Sequence, residues 1–432
     1  MPCLARQFRT LAATLLAVGV ATLALAAPAT ATGQPQRILA ATPYMGWDSS
    51  YAFGTRYDEA TILEQASNLI SDGLQHDGYR LIWLDAGWWH GSRSHDGTIK
   101  VSPKQWPHGM AWLAATLHHE GFKVGLYTDA GRNGCAGPSE GMYGHYTQDI
   151  DTFARWGFDA VKVDYCGGAQ QRLAPATVYG EIHSAIVHDE PHRPMMLEIC
   201  VFQRPGQSGN GYPSFARSAF SSWTFGPLFA SSWRTDTDIG SATQGVQWSS
   251  VVRNMLSDAT EPLAAGPGHW NDPGYLSPGL GMDDNQFSSQ MGMWVMLAAP
   301  LMISANLATL TPASYAALSN RLLTGIDQDR LGRQAQQAPP AAVTSVPASS
   351  SCEAWIKPLT GNRYAIALID LSRQPMTVST NTQAIGIPTA ASYKLTDAWT
   401  GVTTKSAGAI TASVSSNGTA IFIVTLVRPA QR

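Results

Sequence analysis

Short apolar or small-residue runs recur along this chain, and six of them close on a carboxylate. The runs are residues 81–85, 124–129, 160–164, 194–198, 231–238 and 266–272, ending in Asp85, Asp129, Asp164, Glu198, Asp238 and Asp272. Successive acids lie roughly 35 to 45 residues apart, the length of one strand plus one helix. Between the runs, apolar positions recur at helical spacing, as with Ile62, Ala66, Leu69, Ile70 and Leu74 in the segment 59–74. Further helices are predicted over 112–120, 148–156, 178–187, 246–256 and 287–297. Strands are predicted at 43–47, 79–86, 123–130, 160–165, 194–200 and 300–303. The alternation calls for a parallel sheet with crossover helices. Eight strands, the seventh of them weak near 266–272, would close a (β/α)8 TIM barrel over residues 38–337. Such a barrel puts the residue ending each strand at the mouth of its active site, so the pattern predicts a ring of acids around one pocket.

The pattern changes near residue 338. A Pro/Ser/Ala-rich stretch over 338–351 reads as a linker. Beyond it, short runs rich in β-branched residues at 353–357, 364–371, 377–379, 393–395 and 419–426 are separated by turns such as Thr360-Gly361-Asn362 and Asn417-Gly418. They predict a C-terminal antiparallel β-sandwich over 352–432. The fold class is thus α/β, a TIM barrel with an appended sandwich, and a chain of 432 residues is long enough for both.

Composition removes several function classes. Charged residues make up 14 %, the net charge is −3 and no basic run occurs, so neither nucleic acid nor an anionic membrane is an expected partner. Acid-lined pockets instead suit sugar hydroxyls and acid/base work on glycosidic bonds, so the expected partner is a carbohydrate substrate. The 14 tryptophans serve a large core, and some could stack on sugar rings. At the N-terminus, Arg6 and Arg9 precede an apolar stretch from Leu11 to Ala27, followed by small residues with cleavage expected after Ala26 or Ala31. This reads as a signal peptide over 1–31, with a secreted or periplasmic product and no stable membrane anchor. Cys3 would leave with it. Cys135, Cys166, Cys200 and Cys352 remain, and sequence allows three full pairings. No His/Cys cluster has ligand spacing, so no metal and no cofactor are expected. Nothing in the sequence sets an oligomeric state.

Hydrolysing a glycosidic bond with retention needs two carboxylic acids about 5 to 5.5 Å apart, one attacking the anomeric carbon and one protonating the leaving oxygen. Spacing alone does not say which two. An ordered set of motifs does. Thr42-Pro43-Tyr44-Met45-Gly46-Trp47-Asp48-Ser49, Trp106-Pro107-His108-Gly109-Met110, Gly125 to Gly131, Lys162-Val163-Asp164-Tyr165-Cys166, Trp233-Arg234-Thr235-Asp236-Thr237-Asp238-Ile239, Ala265 to Pro273, Asp327 to Gly332 and Asp397 to Gly401 together resemble glycoside hydrolase family 27, the family of α-galactosidases or melibiases. The resemblance spans nearly the whole chain after the leader. It implies a retaining glycosidase on the same two-domain fold, with Asp164 as nucleophile and Asp238 as acid/base. It implies sugar contacts from Trp47 as an apolar wall, Asp85 as a hydroxyl acceptor, Tyr127, Lys162 and Arg234. Lys162, two residues before Asp164, projects to the same face of its strand and would help keep that acid ionised. The resemblance also implies a disulfide between Cys135 and Cys166. Cys200 matches a cysteine that is often bridged in the family, but its usual partner is missing, so the sequence leaves the pairing state of Cys200 and Cys352 open.

Three departures bear on substrate choice. The family usually carries two adjacent aspartates after its second strand, and here Asp85 is followed by Ala86. A residue reading sugar position 2 is replaced by Val201, with Glu198 near enough to substitute in part. The last residue of the usual Trp-Asn-Asp-Pro-Asp is Gly274. The leading expectation is release of terminal α-D-galactose from galacto-oligosaccharides or polysaccharides. The alternatives are the same chemistry on another sugar, as an isomalto-dextranase-like α-glucan hydrolase or a β-L-arabinopyranosidase, and a carbohydrate-binding protein without turnover.

Overall fold

A computed structural model describes residues 39–189, 193–201 and 221–427. The expected leader, the residue opening the expected barrel and the last five residues lie outside them. Eight strands form one parallel sheet: β1 (Met45–Asp48), β2 (Leu81–Leu84), β3 (Lys123–Asp129), β4 (Ala160–Asp164), β5 (Met196–Cys200), β6 (Ser232–Arg234), β7 (Trp270–Asp272) and β8 (Leu301–Ile303). Each pairs with the next from β1 to β7, and β8 pairs with β1. The remaining seam, from β7 to β8, is closed just beyond β7. There Leu276 bridges Ile303 in parallel, its N–H donating to Met302 O and its carbonyl accepting from Ser304 N, both at 2.8 Å. The weak seventh strand is therefore real but short, and its continuation completes the ring.

The crossover helices are α1 (Glu59–Ser71), α2 (Met110–His119), α3 (Tyr146–Trp156), α4 (Pro175–Asp189), α5 (Ser222–Phe229), α6 (Trp248–Asp258) and α7 (Asp284–Leu297). Two short helices, α8 (Pro312–Leu318) and α9 (Arg321–Asp327), follow β8. Local chemistry sets their starts. The Asp58 carboxylate accepts from Thr61 N at the head of α1, and Asp283 and Gln286 form a reciprocal capping box on α7. Thr311 caps α8, with Pro312 at its first position. α3 stops at Gly157, which takes the left-handed conformation.

Two antiparallel sheets make the C-terminal sandwich. Its strands are β9 (Gln336–Gln337), β10 (Thr344–Val346), β11 (Cys352–Leu359), β12 (Arg363–Asp370), β13 (Met376–Asn381), β14 (Ser392–Asp397), β15 (Thr403–Ser406), β16 (Ala409–Val414) and β17 (Gly418–Val427). One sheet runs β9-β11-β12-β17-β14-β15 and the other β10-β13-β16. The stretch expected as a linker supplies β10, which pairs with β13, and it directly follows β9, which pairs with β11.

Strand parity explains why β12 reads as an unbroken apolar run. Ala365, Ala367 and Ile369 join the barrel's core, while Ile366 and Leu368 join the core between the two sheets. The join is close: a Cβ on Gly292 of α7 would sit 2.8 Å from Thr419 Oγ1 and 2.9 Å from Ile421 Cδ1 of β17. Among the described residues, no helix is long and apolar enough to cross a membrane.

Candidate active site

The carboxyl ends of the strands carry the chemistry, but only part of the expected ring of acids faces a pocket. Asp85, Asp164 and Asp238 border an inner cavity of about 470 Å³ together with Lys162, Tyr127 and Ala86. The other three acids turn elsewhere. Asp129 accepts from the backbone N–H groups of Gly131, Gly167 and Gly168. A Cβ on Gly131 would lie 2.0 Å from the Gly167 carbonyl carbon, so glycine is what lets these two loops touch. Glu198 Oε2 accepts from Tyr44 at 3.3 Å, and its Oε1 lies 3.7 Å from Arg234 Nε. It is not among the residues that border the inner cavity, and Val201, where the resemblance expects a polar residue, is fully buried. Asp272 lies 3.0 Å from Arg234 Nε.

At the base of the inner cavity, Lys162 Nζ donates to Asp85 Oδ2 at 2.7 Å and to Tyr275 Oη at 2.6 Å. Tyr275 in turn donates to Asp85 at 3.1 Å. Burial pushes the Asp85 carboxyl up, but the Lys162 ammonium and these hydrogen bonds outweigh it and hold the group below the usual range. Asp164, ending β4, is more exposed to the opposite pressure. Burial raises its pKa, Lys162 pulls it back, and the charge on Asp85 raises it again. Its Oδ1 is buried with no hydrogen-bond partner among the described residues. A buried orphan acceptor of this kind calls for an explanation, and an incoming ligand supplies one.

Asp238 is different. It lies four residues past β6, and its side chain is 60 % exposed. It is nevertheless held: Oδ1 accepts from Arg234 Nη1 at 2.8 Å and from Tyr51 Oη at 3.1 Å, and Ile239 N donates to the same tyrosine oxygen. Arg234 is wholly buried beneath it, stacked 4.5 Å from the Tyr275 ring centroid. The pair is thus one enclosed carboxylate and one fixed but accessible carboxylate across the same space.

The disulfide between Cys135 and Cys166 ties the loop after β3 to the turn after β4. Cys135 Sγ lies 3.1 Å from Asp164 Oδ2. A bridged sulfur carries no proton, so this is a packing contact that walls one side of Asp164. Cys135 N donates to Tyr127 Oη at 3.0 Å, which fixes that ring on the cavity wall. Cys200 and Cys352 are unpaired. Cys200 ends β5 beside Asp164 and borders the cavity.

Trp47 departs from its expected place. Its indole is fully buried, donates to Ala305 O at 2.8 Å and packs on Phe53, and it does not border the inner cavity. Gly274 has φ +108°, a backbone that disfavours the aspartate usual there, and its carbonyl accepts from the Trp294 indole. Sequence reasoning missed Tyr51 and Tyr275 as site residues. Each follows a barrel strand by a few positions, but nothing local to either shows that its hydroxyl meets an acid from another strand.

Buried acids such as Glu198 and Asp129 make stability depend on pH. Burial lifts Glu198 to about 8 and Asp129 to about 7. Both bind a proton more readily folded than unfolded, where the pKa values are about 4. Their contribution is therefore complete below about pH 4 and is lost as pH rises through 7 to 8. Thermal unfolding should show a midpoint that falls between pH 5 and pH 8.5, with a shallower fall in Glu198→Gln.

Comparison with known proteins agrees with this architecture. The family model described as alpha galactosidase A matches residues 53–329, and the alpha galactosidase C-terminal beta sandwich domain matches residues 349–424. An α-galactosidase A of Cellvibrio japonicus is 33 % identical over 366 residues, covering 84 % of each chain. The structure of α-galactosidase I from Mortierella vinacea superposes with a TM-score of 0.79 at 21 % identity, covering 92 % of this chain and all of that one. A family 27 β-L-arabinopyranosidase from Geobacillus stearothermophilus superposes with a TM-score of 0.74 at 17 % identity, over 90 % and 97 % of the chains. A glycosidase fold, a paired-acid pocket and a family match across most of the chain converge: the chain belongs to the α-galactosidase (melibiase) family, glycoside hydrolase family 27, and is a glycosidase.

Proposed function

We propose that the protein is an exported retaining enzyme that releases terminal α-D-galactose by double displacement, with Asp164 as nucleophile and Asp238 as acid/base. The observation that carries this reading is the contrast between the two acids. Asp164 borders the cavity and is enclosed, with one buried oxygen that has no hydrogen-bond partner among the described residues, while Asp238 is anchored by Arg234 and Tyr51 yet open to solvent. In the first step an Asp164 oxygen bonds to the anomeric carbon as the glycosidic bond breaks, and Asp238 gives its proton to the leaving oxygen. In the second step Asp238 takes a proton from water, whose oxygen displaces the Asp164 carboxylate and restores the starting state. Lys162 favours the ionised form of Asp164, and with Asp85 it offers a donor and acceptors to ring hydroxyls. The Arg6–Arg9 pair and the apolar stretch behind it support export.

The same chemistry on another sugar is favoured by one observation: Ala86 stands on the inner cavity wall where a second aspartate is usual. A panel of para-nitrophenyl glycosides separates the readings, using α-galactoside, α-N-acetylgalactosaminide, β-L-arabinopyranoside and α-glucoside, with isomaltotriose and dextran alongside. Dominant α-galactoside turnover supports the proposal, and dominant turnover of another glycoside replaces the sugar while keeping the mechanism. β-L-Arabinopyranoside is the α-D-galactoside without its hydroxymethyl group. Ala86→Asp, which restores an acceptor for that group, should therefore raise the ratio of kcat/KM for galactoside over arabinopyranoside by about tenfold.

A further inference from the structure

Tyr275 touches the sugar end and the acid/base end of the site at once. Its hydroxyl accepts from Lys162 Nζ at 2.6 Å and donates to Asp85 Oδ2 at 3.1 Å. The Arg234 guanidinium lies over its ring, 4.5 Å from the centroid. The Tyr51 ring packs against it in a T-shaped contact, with centroids 5.2 Å apart. Arg234 and Tyr51 both hold Asp238 Oδ1, at 2.8 and 3.1 Å. Tyr275 itself is buried and is not among the described residues that border the inner cavity. It therefore acts on the site through its neighbours.

From this placement we propose that Tyr275 is a positioning residue for both ends of the reaction: its hydroxyl sets Lys162 and Asp85 for the sugar, and its ring sets Arg234 and Tyr51 beneath Asp238. The role rests on the proposed reaction at Asp164 and Asp238. A hydroxyl both accepts and donates, so one group serves the ammonium and the carboxylate together. Burial pushes the phenol well above its ordinary pKa and the charge on Asp48 adds to this, so the proton stays available to Asp85. The ring does a separate job. Arg234 also lies 3.0 Å from Asp272 and 3.7 Å from Glu198, and the aromatic face holds its planar fork where it reaches Asp238. The backbone under Tyr275 is clamped on both sides. Gly274 O accepts from the Trp294 indole at 2.6 Å. Tyr275 O accepts from Gln290 Nε2 at 2.9 Å, and Gln290 Oε1 accepts from Ser277 N at 3.1 Å. Such fixing matters, because a displacement of about 1 Å at a reacting group can cost about 10²-fold in rate.

The test compares Tyr275→Phe and Tyr275→Leu with wild type on one glycone, the one the panel identifies, carried on a para-nitrophenyl and on a glucosyl leaving group. Tyr275→Phe removes the hydroxyl and keeps the ring, so kcat/KM should fall by about tenfold on both substrates, mainly through KM, with their ratio unchanged. Tyr275→Leu removes the ring as well, so the ratio of kcat/KM for the glucosyl over the aryl substrate should fall by about a further tenfold, as protonation of the poorer leaving group fails. In an Asp238→Ala background the same change should leave that ratio where Asp238→Ala alone puts it, which general loosening of the fold would not do. An unchanged kcat/KM in Tyr275→Phe overturns the proposal, and this arm stands even where Tyr275→Leu fails to fold. A folded Tyr275→Leu with the wild-type ratio, while Asp238→Ala keeps its selective loss, overturns the ring's role and leaves the reaction standing. Silence of the folded wild-type protein on every glycoside overturns the reaction and the positioning role together.

Discussion

Asp164→Asn is expected to lower turnover of every accepted glycoside by about 10⁴-fold or more, because the proposed mechanism forms its covalent intermediate on Asp164. The fold should not suffer. Burial already works against the charged form of Asp164, and Oδ1 has no partner to lose. An uncharged amide of the same shape removes that electrostatic cost, so the midpoint of thermal unfolding should stay or rise. Turnover with the midpoint measured on the same preparation checks both halves. A variant that is inactive and also strongly destabilised would instead mark Asp164 as a structural acid.

Asp238→Ala should give a different signature. General acid help is worth about 10² to 10⁴-fold, and it matters most when the leaving oxygen is a poor leaving group. A sugar leaving group should therefore lose most of that range, while a nitrophenyl leaving group, which departs readily as an anion, should lose far less in the glycosylation step. Base help for water is removed for both, so the aryl substrate should become limited by deglycosylation, with a lowered KM. Steady-state kinetics on a matched pair of substrates checks this, and equal losses in kcat/KM on both would contradict the acid role. Asp238 also lies against the buried guanidinium of Arg234. Asp272 at 3.0 Å still faces that cation in the variant, so a folded protein is expected.

Much of the fold was legible from local pattern. The strands of the barrel carry short apolar runs, and α1, α3 and α7 begin within three residues of their expected positions. What escaped depends on pairing between distant segments. β15 is a polar, largely exposed edge strand, so it has no apolar face to betray it. β10 hides in a Pro/Ser-rich stretch and becomes a strand only by pairing with β13.

The site was legible in the same uneven way. A carboxylate ending a strand does not fix where its oxygens point. Asp85 and Asp164 reach the cavity, while Asp129 is taken by three backbone N–H groups and Asp272 by Arg234. Asp48, which ends β1, is a further buried acid that the pattern of six left out. Trp47 shows the limit from the other side, since its indole found a backbone partner in the core and did not reach the cavity.

The most direct test of the central claim is the stereochemistry of hydrolysis, followed by proton NMR from the first turnovers of para-nitrophenyl α-galactoside. Double displacement through Asp164 predicts that α-galactose forms first and only later mutarotates. β-Galactose as the first product would mean a single inverting displacement and would contradict the roles given to Asp164 and Asp238.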